Sequence, residues 1–231
     1  MRARPVRLNV TVALLFMIGS SCFTLGATPA YASAVGSGPD LVTFFVGSLF
    51  FTSASFGQLL QAQTPAMIPD AATQKTVAPL VLHNRLPADR NWLAAATQFP
   101  GTLFFNVTTL AALVSGLSVQ QEDRHVWRPD FVGSLLFLIA STWALLALEP
   151  GRRRWEPREF PWWIAWVNLL GSGAFMASAI ASYVIPTTGS YLNSAWSNGG
   201  TFVGAICFFI GAALMVPAWR AAVRHSGSTP V

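Results

Sequence analysis

The chain has 231 residues, of which 53% are apolar and 10% charged, and it carries a formal net charge of +5 with a pI near 10.0. So little charge on so much apolar surface excludes an ordinary water-soluble domain and points to an integral membrane protein built as one compact unit. The basic residues cluster in short polar connections, so the charge implies contact with anionic headgroups and does not imply nucleic-acid binding.

Six stretches of about twenty residues carry no Asp, Glu, Lys, Arg or His: 8–27, 41–62, 92–118, 131–148, 161–185 and 198–219. At about 1.5 Å rise per residue, each spans or nearly spans a hydrocarbon core of about 30 Å, predicting six transmembrane helices. Before the first stretch lie Arg2, Arg4 and Arg7, and after it Ala30-Tyr31-Ala32. That arrangement resembles a secretory signal with its cleavage site, against the alternative of an uncleaved helix. The uncleaved helix is preferred, because this segment carries the same face as the other five.

Between the second and third stretches, residues 63–91 hold Pro65, Pro69, Pro79 and Pro87. They predict an irregular cytoplasmic loop. Pro100 should kink the third helix. Arg152, Arg153 and Arg154 precede the fifth span as a topology anchor and a candidate contact for anionic lipid. Of the fourteen Lys and Arg residues, twelve fall on one side, including Lys75, Arg85, Arg90, Arg158, Arg220 and Arg224. The opposite loops hold only Arg124 and Arg128, so both termini are predicted cytoplasmic. Trp92, Trp127, Trp155, Trp162, Trp163, Trp196 and Trp219 fall near span ends, where amphipathic rings prefer the headgroup region.

One pattern recurs in all six stretches: a Gly, a Phe four residues on, and small residues at seven and eight. Its leading pairs are Gly19 and Phe23, Gly47 and Phe51, Gly101 and Phe105, Gly133 and Phe137, Gly171 and Phe175, and Gly204 and Phe208. These positions share one helical stripe, so each helix offers a small-residue groove with an aromatic knob. The motif glycines are 28, 54, 32, 38 and 33 residues apart. That spacing predicts a two-helix hairpin used three times, over about 8–62, 92–149 and 161–219, as parallel repeats within a single membrane domain of 1–231.

In lipid, helices associate through close backbone approach and hydrogen bonding, which Gly and Ser permit. The stripe therefore reads first as a helix interface. Its rival is a polar pathway lined by Asn106, Thr108, Thr109 and Asn168. Stripes converging on one axis without a gap would favour packing; a continuous polar cavity would favour transport; outward stripes would favour oligomer contacts.

Catalytic signals are lacking. His83, His125 and His225 lie in predicted loops or tails, no metal-ligand spacing is visible, and the span centres have no charged residues of the kind proton relays use. No catalytic residue, cofactor or metal site is expected. Cys22 and Cys207 directly precede Phe23 and Phe208, and they read as small apolar fillers at equivalent repeat positions.

The stretch Arg128-Pro-Asp-Phe-Val-Gly-Ser-Leu-Leu-Phe-Leu-Ile-Ala-Ser141, followed by Trp162-Trp-Ile-Ala-Trp-Val-Asn-Leu-Leu-Gly-Ser172, resembles the YrhK-like family of small bacterial membrane proteins. The likeness covers residues 125–215 best. It implies a helical-hairpin domain and a bacterial setting, and supplies no functional residue. The sequence thus predicts an all-α polytopic bundle of the bacterial cytoplasmic membrane with a non-catalytic structural or interaction role. The alternative is a channel or carrier for a small neutral solute. Its expected surroundings are the lipid bilayer, with a second copy or another membrane protein as partner.

Overall fold

The computed structural model describes residues 3–63, 85–148 and 155–227. Most of the 63–91 loop, with Lys75 and His83, and the Arg152–Arg154 run lie outside the described residues.

The described residues are helical, with one isolated antiparallel bridge. Six long helices are α1 (Ala3–Gly26), α3 (Ser37–Gln63), α4 (Arg90–Ala112), α6 (Arg128–Ala147), α7 (Phe160–Ala181) and α8 (Ser194–Gly227). Two short ones, α2 (Pro29–Val35) and α5 (Val119–Glu122), lie in connections. A π-helical turn, Asp123–Trp127, joins α5 to α6. Local chemistry sets several boundaries. Asp89 caps α4 by accepting from the Asn91 backbone N–H at 2.8 Å, and Ser118 and Gln121 form a reciprocal capping box on α5. Pro29, Pro161 and Pro129 stand in the first turns of α2, α7 and α6, where a missing N–H costs nothing. Gly36 and Gly116, at φ +85° and +75°, make turns that L side chains resist.

Five segments are long and apolar enough to cross a membrane: Leu8–Gly26, Ser37–Gln63, Val119–Ala147, Phe160–Ala181 and Ser194–Ala221. Helix α4 has the length but not the hydropathy, because Arg90, Asn91, Gln98 and Asn106 dilute its apolar run. Several expected boundaries shift. The third stretch stops being helical at Ala112, where the chain turns through Gly116, and the fifth stops at Ala181. Conversely α8 runs on through Pro217, so the backbone of His225 is helical. Helix α4 passes Pro100 without losing helical assignment.

The six long helices form a closed ring in which α1 packs on α3, α3 on α4, α4 on α6, α6 on α7, α7 on α8, and α8 back on α1. Large apolar side chains cover the outside, among them Leu14, Leu110, Leu170 and Ile210. Packing is closest at the stripe glycines. A methyl group on Gly204 would lie 3.0 Å from the Gly171 carbonyl oxygen, and one on Gly133 3.1 Å from that of Gly101. One on Gly47 would meet Cys22 Cβ at 2.8 Å, and one on Gly171 would meet Cys207 Cβ at 2.9 Å. The two cysteines are thus wedges at different interfaces, α1–α3 and α7–α8, and both are free. Gly173, by contrast, has open space around it.

Gly200→Ala and Gly204→Ala should therefore each lower stability by about 1–3 kcal/mol, since both place Cβ against the backbone of α7. Gly173→Ala should leave stability unchanged or raise it by up to about 1 kcal/mol through helix propensity. Thermal unfolding of the three detergent-solubilised variants checks this ordering.

Candidate functional site

The ring is filled by the six stripe phenylalanines, all buried. Within each pair of adjoining helices the rings touch: Phe23 and Phe51 at 5.4 Å between centroids, Phe105 and Phe137 at 5.0 Å, Phe175 and Phe208 at 5.5 Å. Phe23, Phe105 and Phe175 also form a triangle with sides of 6.5, 6.0 and 6.1 Å. Phe51, Phe137 and Phe208 form a second, with sides of 6.3, 5.5 and 6.0 Å. These distances are the edges of a triangular prism, one triangle from α1, α4 and α7 and the other from α3, α6 and α8. Edge-to-face and tilted contacts dominate, which suits the ring quadrupoles. In each pair the Phe of one helix faces the Gly of the other: Phe23 meets Gly47, Phe51 meets Gly19, and the same exchange holds for Phe137 with Gly101, Phe105 with Gly133, Phe208 with Gly171 and Phe175 with Gly204.

Hydroxyls join the pairs. Each residue after a motif Gly is fully or almost fully buried: Ser20, Ser48, Thr102, Ser134, Ser172 and Ala205. Ser48 bonds Thr109 across the α3–α4 seam at 2.9 Å, and Ser141 bonds Ser172 across α6–α7 at 2.6 Å. The same register at the α8–α1 seam pairs Ser20 with Ala212, and there the buried Ser20 hydroxyl has no partner.

Above the Phe23–Phe105–Phe175 triangle, at the end of the bundle bearing the α1–α3, α4–α6 and α7–α8 connections, lies a cavity of about 180 Å³. Its wall includes Glu122 from α5, Trp127 from the π-helical turn, Asp130 from α6 and Tyr191 from the α7–α8 connection. Three of the four are held in place by their surroundings. The capping box fixes α5 beneath Glu122. Trp127 donates its indole N–H to the Ala179 carbonyl at 2.8 Å and packs edge-on against Tyr183 at 5.0 Å. Tyr191 sits on a small hairpin closed by Leu192 N–H to the Tyr183 carbonyl at 2.8 Å and Ile185 N–H to the Ser190 carbonyl at 2.9 Å. Although 46% of Tyr191 is solvent-accessible, protein crowds its phenol. Burial pushes that phenol above its ordinary range, and the Glu122 and Asp130 carboxylates push it further, so it stays neutral at physiological pH. The ion pair at the rim, Arg128 with Asp123 at 2.8 Å, leaves both lining carboxylates out.

The four residues expected along a polar pathway separate. Thr108 and Thr109 line the cavity, Thr108 donating to the Val126 carbonyl at 2.9 Å and Thr109 to the Phe105 carbonyl at 2.7 Å. Asn106 lies in the α3–α4 seam, accepting from Thr52 at 3.1 Å. Asn168 lies near Gly211 of α8, its side-chain oxygen buried without a partner. Neither Asn is among the cavity's lining residues. Sequence reasoning passed over Glu122, Asp130 and Tyr191. Asp130 directly precedes the uncharged run 131–148, and only the fold brings Tyr191 beside it.

Among the described residues no three His, Cys, Asp or Glu side chains gather as a metal ion would need. No family model, curated protein or solved structure matches the chain.

Ala212→Ser should supply Ser20 with the partner that Ser141 gives Ser172. An interhelical hydroxyl bond of this kind is worth about 0.6 kcal/mol, so a small rise in the unfolding midpoint is expected, and Ser20→Ala in the same chain should abolish it. A double-mutant cycle on these two positions checks the coupling.

Proposed function

We propose that this chain is a non-catalytic, multi-pass protein of the bacterial cytoplasmic membrane, in which three helical hairpins (about 8–62, 92–149 and 161–219) supply six spans. Helix α4 serves as the sixth despite its lower hydropathy, because its polar groups face neighbours inside the ring. Both termini and the 63–91 loop lie in the cytoplasm, and Arg152, Arg153 and Arg154 meet anionic lipid there. The hairpins are a threefold elaboration of the YrhK-like hairpin. The protein acts as a structural or interaction bundle, and a second copy or another membrane protein docks against its outer faces.

The observation that carries this reading is the phenylalanine prism. A solute path down the axis would have to pass two successive triangles of rings whose centroids stand 5.5–6.5 Å apart, which leaves no opening between them. The channel or carrier alternative also loses its lining, since Asn106 and Asn168 belong to different seams. The apolar exterior supports membrane insertion, because a ring with Leu14, Leu110 and Leu170 half exposed suits lipid and would aggregate in water.

Single cysteines placed through Thr102–Thr109 and Val167–Phe175 on a Cys-free background should resist a membrane-impermeant thiol reagent at every position below the outer cavity. Cysteine at Thr188 should label from outside intact cells, and cysteine at Arg158 only after permeabilisation. Periodic labelling of one face beyond Phe105 and Phe175 would sink the packed-bundle reading; the reverse sidedness would sink the orientation alone.

A further inference from the structure

We propose that the outer cavity is a binding site for a small organic ammonium ion, its charge held by Asp130 and Glu122 and its alkyl groups packed against Trp127 and the Phe23–Phe105–Phe175 face.

The first argument is what the wall offers. Asp130 is half-buried on the cavity wall, and among the described residues nothing donates a hydrogen bond to its carboxyl or pairs with it as a cation. Glu122 is also on the wall, and no Lys, Arg or His is. Two half-buried carboxylates on one cavity wall repel each other and are stabilised when something positive joins them. The nearby Arg128 is engaged by Asp123.

The hydroxyls point the same way. Thr108, Thr109, Ser178 and Ser182 line the cavity, but each already directs its proton to a backbone carbonyl: of Val126, Phe105, Ser197 and Ala179 respectively. The Trp127 N–H is likewise committed to Ala179. What these hydroxyls leave for the cavity is lone pairs, with the apolar indole of Trp127 beside them. Thr201 gives its proton to Ser178, so apart from the Tyr191 and Ser197 hydroxyls and the Asn198 amide the polar wall is made of acceptors. A surface of that kind rejects anions and suits a donor or a cation.

Size and floor then select among cations. An apolar cavity of about 150 Å³ takes a benzene ring, so about 180 Å³ admits a compact ion of about five or six heavy atoms. The floor is aromatic, and Trp127 stands in the wall beside it. An alkylammonium is held by such rings through cation–π attraction and burial of its methyl groups, whereas a hydrated alkali ion would have to shed its shell against them. The Trp127–Tyr183 contact and the hairpin under Tyr191 keep the site formed without the ion. The cavity is the same whichever way the chain is inserted, so the inference is independent of the proposed orientation.

The test uses the full-length protein in detergent, titrated with tetramethylammonium chloride and followed by calorimetry and by the unfolding midpoint. Sodium chloride at equal ionic strength and tert-butanol, a neutral molecule of the same size, are the controls. Saturable binding of tetramethylammonium alone is expected, with a midpoint rise of a few degrees at saturation. Glu122→Gln and Asp130→Asn should each weaken it at least tenfold. No saturable binding, an equal response to either control, or wild-type titration by both variants would overturn the proposal. Should Asp130→Asn fail to give monodisperse protein, Glu122→Gln on the short outer helix decides alone.

Discussion

The fold depends on the reciprocal seating of each stripe phenylalanine over the stripe glycine of its partner helix. In a bilayer the lipid tails are as apolar as Leu, so helices gain nothing by merely hiding apolar surface from their surroundings. They gain when backbones come close enough for dispersion contacts to accumulate, which here happens at three glycine pairs whose peptide oxygens sit about 3 Å from where a methyl would be. The phenylalanine then fills the wedge that opens beside each close approach. Two consequences follow from one pattern: the hairpin is held together, and its two rings project to the common axis. Three such hairpins meet as a prism because each brings one ring to either layer.

Between hairpins the chemistry changes from rings to hydroxyls. Ser48 and Ser172, each directly after its glycine, reach toward the next hairpin, where they find the hydroxyls of Thr109 and Ser141, each eight residues beyond the stripe glycine of its own helix. The ring closes at α8–α1 with alanines in the corresponding places, Ala205 and Ala212, and an unpartnered Ser20. Alanine there leaves the closing seam without the hydroxyl tie that the other two carry. This seam joins the two ends of the chain, so it alone must form without a connecting loop between its helices.

Much of this core was written in the sequence, since the Gly–Phe stripe is periodic and its six copies fall on helices whose existence composition already demanded. The alternation of partners was harder to see: Ser141 and Ser172 look alike on paper, and only ring closure makes them neighbours. Hydropathy also understated α4, because Gln98 and Asn106 count against a span even though Asn106 spends its polarity on Thr52 inside the ring. Helix ends were misplaced where apolar residues continue past the last helical turn, as in Leu113–Gly116 and Ser182–Ile185, since hydropathy carries no record of a φ of +75° at Gly116. The cavity was the least legible. Its floor, Phe23, Phe105 and Phe175, belongs to the repeat, but Glu122, Trp127, Asp130 and Tyr191 do not, and they come from connections and a helix start far apart in sequence.

That last point separates what the molecule repeats from what it does once. The prism and the glycine pairs are threefold in register, and a threefold device serves assembly equally in all three hairpins. The end of the bundle bearing the within-hairpin connections breaks the pattern: the α1–α3 turn carries α2, the α4–α6 connection carries α5 and the π-helical turn, and the α7–α8 connection carries a bridged hairpin. The cavity's two carboxylates come solely from the second connection and its first helical turn, and its phenol solely from the third. A π-helical turn shifts the register of the helix that follows by one residue, and such turns persist where the shift places a side chain to purpose. Here the shifted residues include Trp127, whose indole N–H reaches across to α7, and the helix start that delivers Asp130 to the wall. If the connections existed only to join spans, any short turn would serve, and the shared core would not require one acidic, aromatic wall on one side of its axis. The symmetric layer therefore explains why the bundle holds, and the asymmetric layer above it is where a function particular to this chain has room to reside.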